Sequence, residues 1–287
     1  MSLVTGLARF AVRTINEAIA PVLRSSRQSR YQLLKQQGFP PMLDPMVNFL
    51  ITGQADTETD AVSEKVEHLR KNMAASPLQS VAMMNWSSDG TIKPKAKSMA
   101  RGAATGKKPR WAKALHLLAK SSKAETILEL GACAGISGAY LATSPHCKRF
   151  VTIEGSPDLA EIARKTIGAV STKGEVVNGL FSDVLVDLLP TMMGINLVFI
   201  DGHHERQATL KYYRQIRPFL APDAVVVFDD ISWGRDMWAM WEEVATMPGF
   251  SHAMDFGEVG ICILGDADRP PKVWSMQPIT GRSLVIR

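Results

Sequence analysis

Five residues in the second half of the chain have the types and spacing to do chemistry: Asp201, followed closely by His203 and His204, and the adjacent pair Asp229 and Asp230. Asp201 follows the apolar run Ile195 to Ile200, and the Asp pair follows Ala224 to Phe228; both runs read as buried strands. Glu154 stands in the same position after Arg149 to Ile153. A fourth run, Thr126 to Leu130, leads into a turn that begins at Gly131 and ends at Gly135. Glycine there lets backbone approach a ligand, and the helix that follows presents unpaired N–H groups. In an open α/β sheet, ligands sit beyond the carboxyl ends of the strands, so these residues are expected to converge. Three carboxylates at one sheet edge would repel one another and raise one another's pKa unless a cation or basic groups neutralised them. The plainer alternative is that Asp229 or Asp230 caps a helix or holds a loop.

The elements that must position these residues alternate from residue 126 onward as strand and helix. This is the pattern of an α/β fold with a doubly wound, mostly parallel sheet. Glu175 to Asn178 supplies another strand, and Phe250 to Phe256 with Val259 to Leu264 reads as a closing antiparallel hairpin, giving seven strands. Ahead of the sheet, Leu3 to Leu23 and Thr57 to Ala75 read as helices, separated by a connector rich in proline from Gln37 to Pro45. Trp111 to Lys120 is a further helix leading into the first strand. Residues 1–110 are therefore expected to be a helical, basic extension, 111–265 the α/β domain, and 266–287 a tail packed on its outside.

No apolar run reaches the length of a membrane span, and three scattered cysteines fit a reducing compartment, so a cytoplasmic location is expected. The net charge of +5 is uneven: residues 1–120 hold 18 Lys or Arg against 8 Asp or Glu. Lys93 to Lys113 contains eight basic residues and no acid, which reads as a mobile lid over an anionic substrate or as a solvated loop. A nucleic-acid arm would interleave aromatics, and only Trp111 is at hand. The amphipathic first helix makes a homodimer the expected assembly.

The turn after the first strand is not the dinucleotide fingerprint, because Cys133 replaces the middle glycine and Ile136 the last. Glu154 lies about twenty residues beyond the turn, where an acid accepts hydrogen bonds from both ribose hydroxyls. Together they suit an adenosine carrying something other than a pyrophosphate. ELGACAG (Glu129 to Gly135), VTIEGSP (Val151 to Pro157), NGLFSD (Asn178 to Asp183) and the segment from Leu197 to Trp233 resemble class I S-adenosylmethionine-dependent methyltransferases. The likeness is to the branch of small-molecule O-methyltransferases that includes the catechol and caffeoyl-coenzyme A types.

The resemblance implies that Gly131 and Gly135, with Glu129 and Ala132 beside them, line the methionine part of S-adenosylmethionine. It implies that Glu154 holds the ribose and that Phe181 and Ser182 flank the adenine. Asp201, which would also border the cofactor, and Asp229 and Asp230 fall at the metal positions of that branch. Oxygen-only ligands there suit Mg²⁺ or another divalent cation. The branch has an Asn where this chain has Asp230, which adds a negative charge. A lysine acts as base three residues past the first metal acid; His204 occupies that offset here, and an imidazole can take a hydroxyl proton. His203 could orient the loop or contact a ligand, and Trp233 could wall the substrate. The function so implied is methyl transfer to an oxygen of a small or medium-sized acceptor. A nucleic-acid methyltransferase using the basic front and a non-catalytic scaffold are the alternatives.

Overall fold

The computed structural model describes residues 23–75, 80–86, 92–98, 106–265 and 268–280 of the 287-residue chain. Most of the expected first helix, the turn Ser87 to Gly90 and Arg101 fall outside them. The seven expected strands form at close to their expected bounds: β3 (Thr126–Leu130), β4 (Arg149–Glu154), β5 (Gly174–Asn178), β6 (Ile195–Ile200), β7 (Leu220–Phe228), β8 (Phe250–Asp255) and β9 (Gly260–Leu264). An eighth, β10 (Lys272–Ser275), pairs parallel to β8, so the tail widens the sheet rather than merely covering it. The sheet order is β10-β8-β9-β7-β6-β3-β4-β5, with β9 antiparallel to both its neighbours. From β3 the chain winds outward through β4 and β5, then crosses back to β6 on the other side of β3. That reversal opens a crevice at the carboxyl ends of β3 and β6.

Alternation along the strands builds two cores. Ile127, Leu197, Phe199, Val225 and Val227 face one side of the sheet, and Leu128, Leu130, Val198, Ile200, Val226 and Phe228 face the other. Helices α3 (Pro109–Ser121), α4 (Ile136–Ala142) and α5 (Pro157–Gly168) supply buried residues to the first core. Helices α6 (Phe181–Leu188), α7 (Arg206–Ile216) and α8 (Arg235–Val244) supply the second. Burial on both faces explains why these strands read as continuous apolar runs.

The extension contains α1 (Asp44–Thr52) and α2 (Thr57–Ala74), the latter capped by Asp56, whose side chain accepts from Thr59 N–H at 2.9 Å. It is not wholly helical: β1 (Ser80–Trp86) and β2 (Ile92–Ser98) pair as an antiparallel hairpin where the basic sequence had suggested a mobile segment. Val81 of β1 packs with Leu159 of α5, which places the hairpin against the α/β domain. No described helix is long and apolar enough to cross a membrane.

A carboxyl group is buried against the first core. Glu129, on the same face of β3 as Ile127, is fully buried, and burial pushes its carboxyl up to about 7 against the pull of the Ser137 and Thr152 hydroxyls. The unfolded chain releases this proton near the ordinary 4.5, so the native state holds it more tightly. Its contribution to stability is complete below that value and is lost as pH rises towards 7, at roughly 1 kcal/mol per pH unit. Glu129→Gln is expected to flatten this slope. Thermal melts of both proteins between pH 4.5 and 7.5 check it, and parallel slopes would contradict it.

Candidate functional site

The crevice is a cavity of about 490 Å³. Its walls come from the ends of β3, β4, β6 and β7 and from the residues that lead into α3. Backbone hydrogen bonds continue past the strand ends and fix their relative positions: Gly131 N–H to Ile153 O at 3.0 Å, Asp201 N–H to Leu130 O at 2.9 Å and Asp229 N–H to Ile200 O at 2.9 Å. Gly131 has φ +102°, and a Cβ there would lie 2.0 Å from the Asp201 carbonyl oxygen. Only glycine allows the β3 turn to press against the β6 loop. Among the described residues four non-glycines have positive φ, and three of them, Cys133, His203 and Asp230, line this cavity at +48°, +52° and +50°. Backbone strain of this kind concentrates where function requires it.

Glu154 reaches across to the turn. Its Oε2 accepts from Cys133 N–H at 2.8 Å and its Oε1 from Ser156 N–H at 2.9 Å. Burial raises its pKa, and these backbone donors oppose the shift. Phe181 lines the cavity, its ring set edge-on against Tyr212 at 5.4 Å. Ser182 does not line it; it is exposed, and its hydroxyl donates to Asp183 at 2.7 Å. Glu129, Ala132 and Gly135 lie behind the wall, with Gly135 at φ +79° passing close to Ala163 of α5.

Across the cavity stand Asp201, His203, His204, Asp229, Asp230 and Trp233, together as expected. The Asp201 carboxyl is raised well above the usual range, first by burial and then by the Asp229 charge and hydrogen bond, with Lys107 pulling the other way. His204 Nε2 lies 3.8 Å from both Asp201 Oδ1 and Asp230 Oδ2, and its ring stacks on Trp233 with centroids 5.9 Å apart and planes at 26°. Trp233 is 72 % exposed and stands at the mouth. His203 turns elsewhere: Nδ1 meets the Tyr212 hydroxyl at 2.9 Å and Nε2 meets Glu205 at 3.3 Å. Burial holds its pKa below the usual value, with Glu205 opposing. Trp241, by contrast, is a core residue.

The cluster contains two groups that were not assigned to it from the sequence. Glu258, in the β8–β9 hairpin, lies with Asp229 and Asp230 so that one oxygen from each falls within 4.8 Å of the others. That spacing by itself would suit a divalent cation. The side chain of Lys107, only 4 % exposed, enters the same space: Nζ donates to Asp229 and lies 3.7 Å from Glu258 Oε1. As arranged, these residues do not fit a divalent ion, and Asp201 pairs with Asp229 rather than joining the set of three. Two other residues of the basic stretch make contacts within the chain. Arg110 donates to Leu50 O at 2.7 Å and Lys113 pairs with Asp60 at 2.7 Å.

Residues 128–231 match the methyltransferase domain family. The chain is also 34% identical over 132 residues to a catechol O-methyltransferase of Mycobacterium tuberculosis and 29% identical over 127 residues to one of Niastella koreensis. These alignments cover 44% and 43% of this chain, and the chain spans 57% of the length of each relative. Among solved structures, the O-methyltransferase from Bacillus cereus in complex with SAH superposes with a TM-score of 0.51 at 23% identity, covering 71% of this chain and 91% of that one. A SAH-bound methyltransferase of Podospora anserina gives 0.51 at 16%, covering 72% and 88%. Both likenesses establish the fold. The methyltransferase match takes in the glycine turn, Glu154, Asp201 and the Asp pair, but neither Lys107 nor Glu258.

Proposed function

We propose that the protein transfers a methyl group from S-adenosylmethionine to an oxygen of a small or medium-sized acceptor. The observation that carries this reading is the convergence on one cavity of a glycine turn closed against Asp201, an acid aimed across that turn, and a histidine set between two carboxylates. The match over residues 128–231 supports it.

The wall fits this cofactor. A Cβ at Gly131 would close the turn, and both Glu154 oxygens, oriented by backbone donors, keep lone pairs for ribose hydroxyls. Phe181 presents an aromatic surface on which a flat base can lie. Bound there, the cofactor supplies a methyl group on a sulfonium already activated for displacement. His204, with Nε2 held 3.8 Å from Asp201 and Asp230, would take the acceptor's hydroxyl proton. Trp233, stacked on His204, offers a wall for a flat acceptor, and holding that acceptor in line provides most of the rate. Mg²⁺, expected from the resemblance, has no step in this reading, because Lys107 fills the place between Asp229 and Glu258.

His204→Gln is expected to lower kcat on the order of a hundredfold while leaving cofactor affinity unchanged. Steady-state rates with a parallel S-adenosylhomocysteine titration check this. The reading itself is tested with methyl-labelled S-adenosylmethionine and a panel of hydroxylated aromatics. Catechols come first, because both curated relatives are named for them. A labelled methyl ether formed with equimolar S-adenosylhomocysteine is the expected result. Label recovered only on nitrogen or on RNA would overturn it.

A further inference from the structure

We infer that Lys107 is the resident cation of the acidic cluster, so that Asp229 and Glu258 hold a lysine ammonium where a divalent ion would otherwise sit. If the proposed methyl transfer is correct, on which this clause rests, it runs without a metal. The argument is geometric. A divalent ion stands about 2.0–2.6 Å from its oxygen ligands. One held by Asp229 and Glu258 would need the space that Nζ occupies, hydrogen-bonded to the first and 3.7 Å from the second. The ion and the ammonium exclude each other.

The lysine is built into this position. Its backbone lies just ahead of α3, where the Arg70 guanidinium donates to the carbonyl of Lys107 and, at 3.4 Å, to that of Gly106. Arg70 is itself fixed by Glu67 at 2.8 Å on the same helix, α2. The extension therefore grips the segment that delivers the ammonium. Four residues on, Trp111 Nε1 donates to Glu258 Oε2 at 3.2 Å, so two successive turns of chain address the same carboxylate. Both buried carboxylates of the cluster are thereby satisfied from within the chain, as buried charges must be. An ammonium on a flexible stem reaches this depth as a compact point charge.

The test is a titration of Mn²⁺ alone, followed by electron paramagnetic resonance, into protein freed of metal by chelation. The wild type is expected to leave the free Mn²⁺ signal unchanged up to about millimolar metal. Lys107→Ala, which vacates the space and leaves the carboxylates, is expected to bind one Mn²⁺ at least tenfold more tightly than the wild type. Lys107→Arg, which keeps the charge, is expected not to gain that site. Wild-type binding of one Mn²⁺ at micromolar concentration would overturn the inference, as would a folded Lys107→Ala with no gain. If Lys107→Ala does not fold, nuclear magnetic resonance of the lysine ammonium groups decides on the wild type. A Lys107 signal left sharp by Mn²⁺ supports the inference, and one broadened by it refutes it. Neither readout depends on turnover, so failure of the methyl-transfer reading, seen as no S-adenosylhomocysteine binding, stays distinguishable.

Discussion

Gly131→Ala is expected to abolish cofactor binding altogether. The added methyl would lie 2.0 Å from the Asp201 carbonyl oxygen and 2.9 Å from its carbonyl carbon, both of them backbone atoms fixed by the β3–β6 ladder. The backbone at φ +102° is itself costly for an L residue. The turn must therefore move away from β6, and with it the N–H groups at the start of α4 and the Cys133 amide that Glu154 holds. An S-adenosylhomocysteine titration should show no heat, while circular dichroism reports whether the sheet has survived. Native affinity in this variant would mean that the ligand does not touch the turn.

Glu154→Ala is the second large effect. Two hydrogen bonds from ribose to an ionised carboxylate are worth about 1.5–3 kcal/mol each, so affinity should fall roughly a hundredfold to twenty-thousandfold. Part of that loss would be indirect, because the same oxygens tether Cys133 and Ser156. Glu154→Gln separates the two contributions: it keeps an acceptor for one backbone donor and loses the charge. If the carboxylate binds ribose, Glu154→Gln should lie between wild type and Glu154→Ala in affinity, with a melting temperature close to wild type.

The parallel strands and the residues at their ends were legible because the rule that places them is local. Ile195 to Ile200, Asn196 apart, and Ala224 to Phe228 are apolar, being buried on both faces, and the next residue must emerge at the sheet edge. Glu154, Asp201 and Asp229 followed from that alone. The hairpin β1–β2 was not legible, because Ile92–Ser98 carries Pro94 and three lysines and becomes a strand only by pairing with Ser80–Trp86. A two-stranded sheet tolerates a proline that a central strand would not. Likewise β10 is four residues that pair only with the edge of β8.

Lys107 and Glu258 were missed for a related reason. Neither follows a parallel strand, and they lie 151 positions apart, so only the assembled fold brings them to Asp229. The sequence did carry a signal in its surplus of acid at one sheet edge, which required either a cation or basic groups. It could not say which of eight basic residues between Lys93 and Lys113 would turn inward. Ser182 shows the converse error. It sits in the slot that the resemblance assigned to adenine, but the first turn of α6 rotates it out to solvent beside Asp183.

Calorimetric titration of S-adenosylhomocysteine into the wild-type protein, in the presence of excess EDTA, tests the central claim most directly. The cavity as described predicts one site per chain with micromolar affinity, unaffected by the chelator. An absence of binding at several hundred micromolar ligand, from protein shown to be folded, would contradict it.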